Sequence, residues 1–159
     1  MNITIYCVGK IKEKFYAEAV REYEKRLSRY CRLKIVEVAD EKTPEQAGAR
    51  EREQILQREG ERILAKVSDR TYLIALAIDG KRMDSESFSD TLQDLAVSGR
   101  PDLGFVIGGS LGLSDAVLNR ASLKISFSDM TFPHQLMRVI LLEQIYRGFK
   151  IARGEPYHK

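Results

Sequence analysis

The chain has no tryptophan, and its 159 residues include only two cysteines, two histidines and four prolines. Cys7 and Cys31 stand apart in unrelated settings. They make neither a disulfide framework nor a thiolate metal pattern, so both are expected as reduced thiols in a cytoplasmic setting. His134 and His158 are isolated from each other and from either cysteine, and no metal site is expected. No apolar run approaches the ~20 residues a membrane helix needs, and the run at 3–8 is too short for a signal peptide. A Cys–His pair at catalytic spacing and a clustered carboxylate dyad are missing, which leaves hydrolytic mechanisms little to hold on to. What remains is a group transfer in which a cofactor carries the reactive centre and the protein positions it.

What is present describes an ordinary soluble globular chain. Apolar residues make up 43% and charged residues 31%, normal proportions for a folded domain. The length fits a single domain over 1–159 with a core large enough to need no staples. The net charge is only +3, but it is unevenly spread. From Thr131 to Lys159, five cations (Arg138, Arg147, Lys150, Arg153, Lys159) face two anions (Glu143, Glu155), an excess equal to that of the whole chain. A second basic stretch runs from Lys10 to Lys34, and an acidic one over 37–62 offsets it. Clusters of this kind serve either as solvated helix faces or as nucleic-acid surfaces.

Periodicity gives ten alternating elements. Strands are expected at 3–8, 33–38, 71–78, 103–107 and 123–127, where β-branched and apolar residues run continuously or alternate. Helices are expected at 13–29, with Phe15, Ala19, Tyr23 and Leu27 on one stripe, and at 45–66, opening on Thr43-Pro44-Glu45. Three more follow: 84–97, stopped by Ser98-Gly99-Arg100-Pro101; 114–120, capped by Ser114; and a long one from Pro133 to Gly154 with Leu136, Val139, Ile140, Ile145 and Phe149 inward. Alternating strands and helices predict an α/β fold with a mostly parallel sheet flanked by helices. Ligands in such sheets bind outside the carboxyl ends of the strands. That singles out Leu76, Gly108 and the segment 127–132.

Gly108-Gly109-Ser110-Leu111-Gly112 has the wrong spacing and the wrong strand for a dinucleotide fingerprint, and it lacks the Gly-Lys-Ser/Thr of a P-loop. Glycines there either turn the chain or let a ligand approach the backbone. Phe127-Ser128-Asp129-Met130-Thr131-Phe132 supplies hydroxyls, an acid and two aromatics between a strand end and a helix start. Those groups suit an adenine ring and a ribose, and equally a helix cap. The tail offers Arg153, Tyr157 and His158, a mixture that fits phosphates and unpaired bases or, more blandly, a frayed terminus.

Several segments together resemble the ribosomal RNA large subunit methyltransferase H family of SPOUT-type enzymes. They are Phe105 to Gly112, Ile125 to Ser128, Met130 to Gln135, Arg138, Glu143 to Arg147 and Arg153 to Lys159, with Val8 to Lys12 and Tyr23 to Leu27 near the start. The resemblance spans essentially the full length. It implies a C-terminal trefoil knot, which periodicity would not predict, and a homodimer with its site near the subunit interface. It implies S-adenosylmethionine as cofactor, held by Leu76, Gly108, Phe127, Ser128, Asp129, Met130, Thr131 and Phe132. The implied reaction is methylation at N3 of a pseudouridine in large-subunit rRNA within the ribosome, without metal or membrane. Arg153, Tyr157 and His158 are the candidates for contact with the nucleobase and for charge stabilisation. Competing expectations are a ribosome-binding protein of this fold without transfer activity, a sibling enzyme acting on tRNA, and a flavodoxin-like nucleotide binder.

Overall fold

A computed structural model describes residues 1–100 and 102–159; Pro101, expected to help stop the third helix, lies outside the described residues. In chain order the elements are β1 (Asn2–Val8), α1 (Lys14–Leu27), β2 (Arg32–Val38), α2 (Ala49–Leu64), β3 (Tyr72–Arg82), α3 (Ser85–Val97), β4 (Asp102–Ile107), α4 (Asp115–Arg120), β5 (Leu123–Ser126) and α5 (His134–Ala152). The five strands form one sheet in the order β2-β1-β4-β3-β5, with every pairing parallel.

Side chains alternate across each strand, and both faces are covered. On one face Ile3, Ile5, Cys7, Ile74, Phe105 and Ile107 meet Val20 and Leu27 of α1, Phe88 and Leu92 of α3, and Leu141, Leu142 and Ile145 of α5. On the other, Tyr6, Val8, Leu73, Ala75 and Val106 pack on Ile63 of α2 and Val117 of α4. Double coverage is why the strands read as continuous apolar runs. Phe105 has no exposed surface, a burial worth about 2–3 kcal/mol. Two caps form as their sequences predict. Asp84 accepts from the Ser87 N–H at 2.7 Å, and Ser114 Oγ accepts from the Val117 N–H at 3.3 Å.

Four expectations change. The helix expected from residue 45 begins at Ala49, because Pro44 to Ala47 forms a separate turn closed at 3.1 Å. Phe15, placed on the inward stripe of α1, is 61% exposed. The core face of α5 is Leu141, Leu142, Ile145 and Gly148, with Arg138 at its head, while Leu136, Val139 and Ile140 are only half-buried. Finally, β3 does not end near Ile78. Both Leu76 and Lys81 pair with Ile125, so residues 77–80 bulge out of the ladder before pairing resumes. Gly80 makes this possible, since a Cβ there would lie 2.7 Å from the Ile125 backbone.

Candidate functional site

Three chain segments meet at the carboxyl edge of the sheet: the β3 bulge, the glycine-rich turn after β4 and the loop after β5. The turn is tight. Gly112 N–H donates to Gly109 O at 3.1 Å, and Gly112 itself has φ +88°, a conformation that favours glycine. A Cβ on Gly108 would fall 2.3 Å from Gly112 O, so this position has no room for a side chain. Beneath the turn, Glu59 of α2 is 5% exposed, and its carboxylate accepts from the Glu41 N–H at 3.0 Å. Burial raises the Glu59 pKa, partly opposed by that hydrogen bond.

The loop after β5 is ordered by its own hydroxyls. Ser126 Oγ donates to Ser128 O at 3.1 Å, and Ser128 Oγ accepts from the Met130 N–H at 2.9 Å. An Arg82–Asp129 ion pair ties the loop to the resumed part of β3. The loop then crosses from edge strand β5 past β3 and β4. It is anchored at β1 by Arg138, which is 1% exposed. Its guanidinium donates to Glu37 at 2.7 Å, to Val8 O at 3.1 Å and to Gly9 O at 2.7 Å. Arg138 is therefore a buried clamp between α5, β1 and β2. Its membership of a surface basic cluster is corrected accordingly.

These segments line a shallow, open cleft with about 140 Å³ of free volume. Leu76, Gly108, Phe127, Ser128, Met130, Thr131 and Phe132 all line it; Asp129 does not, because its carboxylate is turned outward to Arg82. Ile78, His134 and Met137 also line the cleft, and sequence reasoning gave them no such place. His134 Nδ1 is buried with no hydrogen-bond partner. Burial, then the charge of Arg138, lowers the imidazole pKa, so the ring is neutral at neutral pH. Mostly apolar walls, the three hydroxyls of Ser126, Ser128 and Thr131 and one orphaned ring nitrogen fit a flat ligand carrying a few polar atoms.

A second cleft of about 540 Å³ shares Phe127 and Phe132 with the first and is otherwise lined by Asp84, Glu86, Phe88, Gln144, His158 and neighbouring side chains. His158 stands here, with Nδ1 3.1 Å from Arg147 and Nε2 3.7 Å from Glu86. The other two tail candidates are not brought to either cleft. Tyr157 packs edge-on against Tyr146 and donates to Glu143 at 2.9 Å; burial, then Glu143, pushes its pKa up to about 12. Arg153 lies 4.6 Å over the ring of Tyr30. The tail is thus docked, not frayed, and much of its charge is spent internally. Arg147 pairs with Glu143 at 2.8 Å and Lys150 with Glu155 at 2.8 Å. Both thiols are remote from this chemistry, Cys7 being pushed by burial to about 12 and Cys31 to about 11. Among the described residues no cluster of three or more His, Cys, Asp or Glu is placed to hold a metal ion.

A doubly covered parallel sheet with a glycine-turned cleft outside its carboxyl ends defines an α/β protein with its candidate ligand site among the loops at that edge. The family described as "Predicted SPOUT methyltransferase" matches residues 1–158, and the chain belongs to that family. Over its full length, and that of each relative, it is similar to proteins named ribosomal RNA large subunit methyltransferase H. Identity is 60% to that of Clostridium novyi, 58% to that of Clostridioides difficile and 57% to that of Clostridium beijerinckii. A solved structure of a probable methylase family protein from Haemophilus influenzae superposes with a TM-score of 0.57 at 10% identity, covering 99% of this chain and 70% of the other. That likeness bears on the fold alone.

Proposed function

We propose that the chain transfers a methyl group from S-adenosylmethionine to N3 of a pseudouridine in large-subunit ribosomal RNA. The observation that carries this reading is the cleft itself. Loops from three strand ends converge on one apolar space in a chain 57–60% identical, end to end, to proteins named as rRNA methyltransferases. When bound, S-adenosylmethionine supplies a methyl group already activated on sulfonium, so the protein needs no nucleophile of its own. Phe127 and Phe132 offer faces to the adenine, Ser128 and Thr131 offer hydroxyls, and His134 Nδ1 offers a buried polar atom still without a partner. The glycine turn lets a ligand reach the backbone.

The second cleft shares its aromatic wall with the first, which supports it as the seat of the acceptor base. His158 at its edge supports a contact between that side chain and the base, while Tyr157, held protonated, donates to Glu143 outside the cleft. Arg153 reaches neither cleft of its own protomer, so a role for it requires the site of a second copy. Half-buried Leu136 and Ile140, which join neither core cluster, support a homodimer. The path of the chain from β5 across β3 and β4 to the Arg138 anchor supports the knotted arrangement expected of the family. Ribosomes place the work in the cytoplasm.

Calorimetric titration of the protein with S-adenosylmethionine is expected to show one site per chain; a well-folded sample that binds none would reject the reading. Removal of residues 153–159 is expected to leave that binding within about threefold, since the tail stays outside the first cleft. The same truncation should abolish methyl transfer to ribosomes. Mass spectrometry of rRNA from a deletion strain separates this function from that of a non-catalytic ribosome binder, and methylation of tRNA in place of rRNA would redirect it to a sibling substrate.

A further inference from the structure

The tail was the expected RNA surface, yet Arg138, Arg147 and Lys150 are paired with Glu37, Glu143 and Glu155. A different edge of the molecule keeps its charges free. At the end of β1, Gly9 (φ +83°) turns the chain into a loop carrying Lys10 and Lys12, and Lys14 opens α1; all three are exposed. The loop is fixed at both ends: Gly9 O accepts from Arg138 at 2.7 Å, and the Lys12 N–H donates to Gln135 Oε1 at 3.0 Å. Lys42 projects from the neighbouring loop after β2, where Thr43 Oγ1 lies 3.4 Å from Ser110 Oγ of the glycine turn. These hydrogen bonds hold both loops at the carboxyl edge of the sheet, beside the elements that line the first cleft, while Lys42 also borders a separate hollow with Glu51 and Arg58.

Among the described residues, Lys10, Lys12 and Lys42 have no carboxylate at ion-pair distance, and Lys14 has only a loose one to exposed Glu18 at 3.8 Å. The acids near these loops are Glu13, Asp40, Glu41 and, beside Lys42, Glu51; Glu41 is already engaged by Arg58 at 3.2 Å and Arg62 at 3.3 Å. Directly after Lys14 comes Phe15, 61% exposed, its ring centroid 4.4 Å from that of Tyr16. A large aromatic left in water beside unpaired lysines is costly unless something covers it. Lysine is a flexible point charge suited to phosphate oxygens, and an exposed ring suits a base of any identity.

We propose that Lys10, Lys12, Lys14, Lys42 and Phe15 form a single-stranded RNA platform. The lysines meet successive phosphates and Phe15 stacks on an unpaired base, leading the strand to the cleft. The inference rests on the rRNA reading above, but it fails or stands separately. The probes are a short fluorescein-labelled single-stranded RNA and purified large ribosomal subunits. Parent protein, the K10A/K12A/K42A variant and F15A are compared by anisotropy across a salt series, with S-adenosylmethionine affinity as the folding control.

The triple-lysine variant should bind at least tenfold more weakly at low salt, with a log K against log salt slope shallower by about one for each phosphate no longer neutralised. Its KM for ribosomal subunits should rise with kcat unchanged. F15A should weaken the single strand by about tenfold and leave the salt slope alone. A triple variant with the parent's slope overturns the lysine platform. A change in the light-scattering mass of F15A overturns the stacking role and assigns that ring to a contact between copies. Parent protein that binds RNA this way yet transfers no methyl group to any ribosomal particle would overturn the proposed function and leave the platform standing.

Discussion

The two halves of α5 use arginine in opposite ways. In the first half, Arg138 is sealed from water and spends its guanidinium on one carboxylate and two strand-end carbonyls. In the second half, Arg147 and Lys150 pair with acids on the same helix or its tail and remain partly wetted. A charge buried without partners costs several kcal/mol, whereas an ion pair in water is worth little. The first half therefore fixes where the loop after β5 lies, and the second mainly tidies a surface. Position, not the count of cations, decides which of them matter to the site.

The sharpest way to break this contrast is Arg138→Ala. It strands Glu37 and the Val8 and Gly9 carbonyls, and should cost about 3–5 kcal/mol, read as a lower urea midpoint. Because Arg138 anchors the loop of residues 127–133, cofactor affinity should fall with stability. Arg138→Lys keeps the charge but not the planar fork, and should fall between. If alanine here costs no more than at Arg147, the clamp is not what positions the loop.

Glu143→Gln probes the other half. Glu143 accepts from Arg147 at 2.8 Å and from the Tyr157 hydroxyl at 2.9 Å. Replacing the carboxylate by an amide should cost about 1 kcal/mol and leave cofactor binding alone. Tail residues should lose protection in hydrogen exchange while β1 keeps it. A loss as large as that of Arg138→Ala would erase the distinction between the halves.

Much of this was legible beforehand, for a physical reason. Alternating apolar runs and glycine-bounded strands report local geometry and burial, so the ten elements and the strand ends near Gly108 and Phe127 could be read directly. Tertiary partners could not. Arg138 lies at helical spacing ahead of Leu141, Leu142 and Ile145, and a cation on an apolar stripe is a signal that was readable yet was counted with the surface charge. The β3 bulge had its mark in Asp79-Gly80, a turn dipeptide inside an apolar strand. The destination of Asp129, turned away to Arg82, depends on the register of two distant strands and has no local signature. The exposure of Phe15 is of the same kind: its helical phase fits the stripe, but nothing in the fold reaches far enough along α1 to cover it.

The smallest effect tests whether the first half of α5 is tuned for a neutral ring beside its clamp. His134 titrates below its ordinary value, first because it is buried and then because Arg138 lies near; Asp40 opposes this and Lys12 adds to it. The sign follows from linkage. Below about pH 6.5, the ordinary imidazole value, the unfolded chain takes up a proton that the folded chain resists. Stability contributed by the neutral ring is therefore present above that pH and is lost as the pH falls beneath it. Glu59 works the other way: its raised pKa makes the folded chain hold a proton that the unfolded chain has released, so acidification favours it. Subtracting urea midpoints of His134→Gln from those of the parent, from about pH 7.5 down to about pH 5, cancels Glu59 and every other shared group. The parent should lose stability relative to the variant as the pH drops. A difference flat across that range would mean that His134 charges freely in the fold, and that its buried nitrogen is not kept for a ligand.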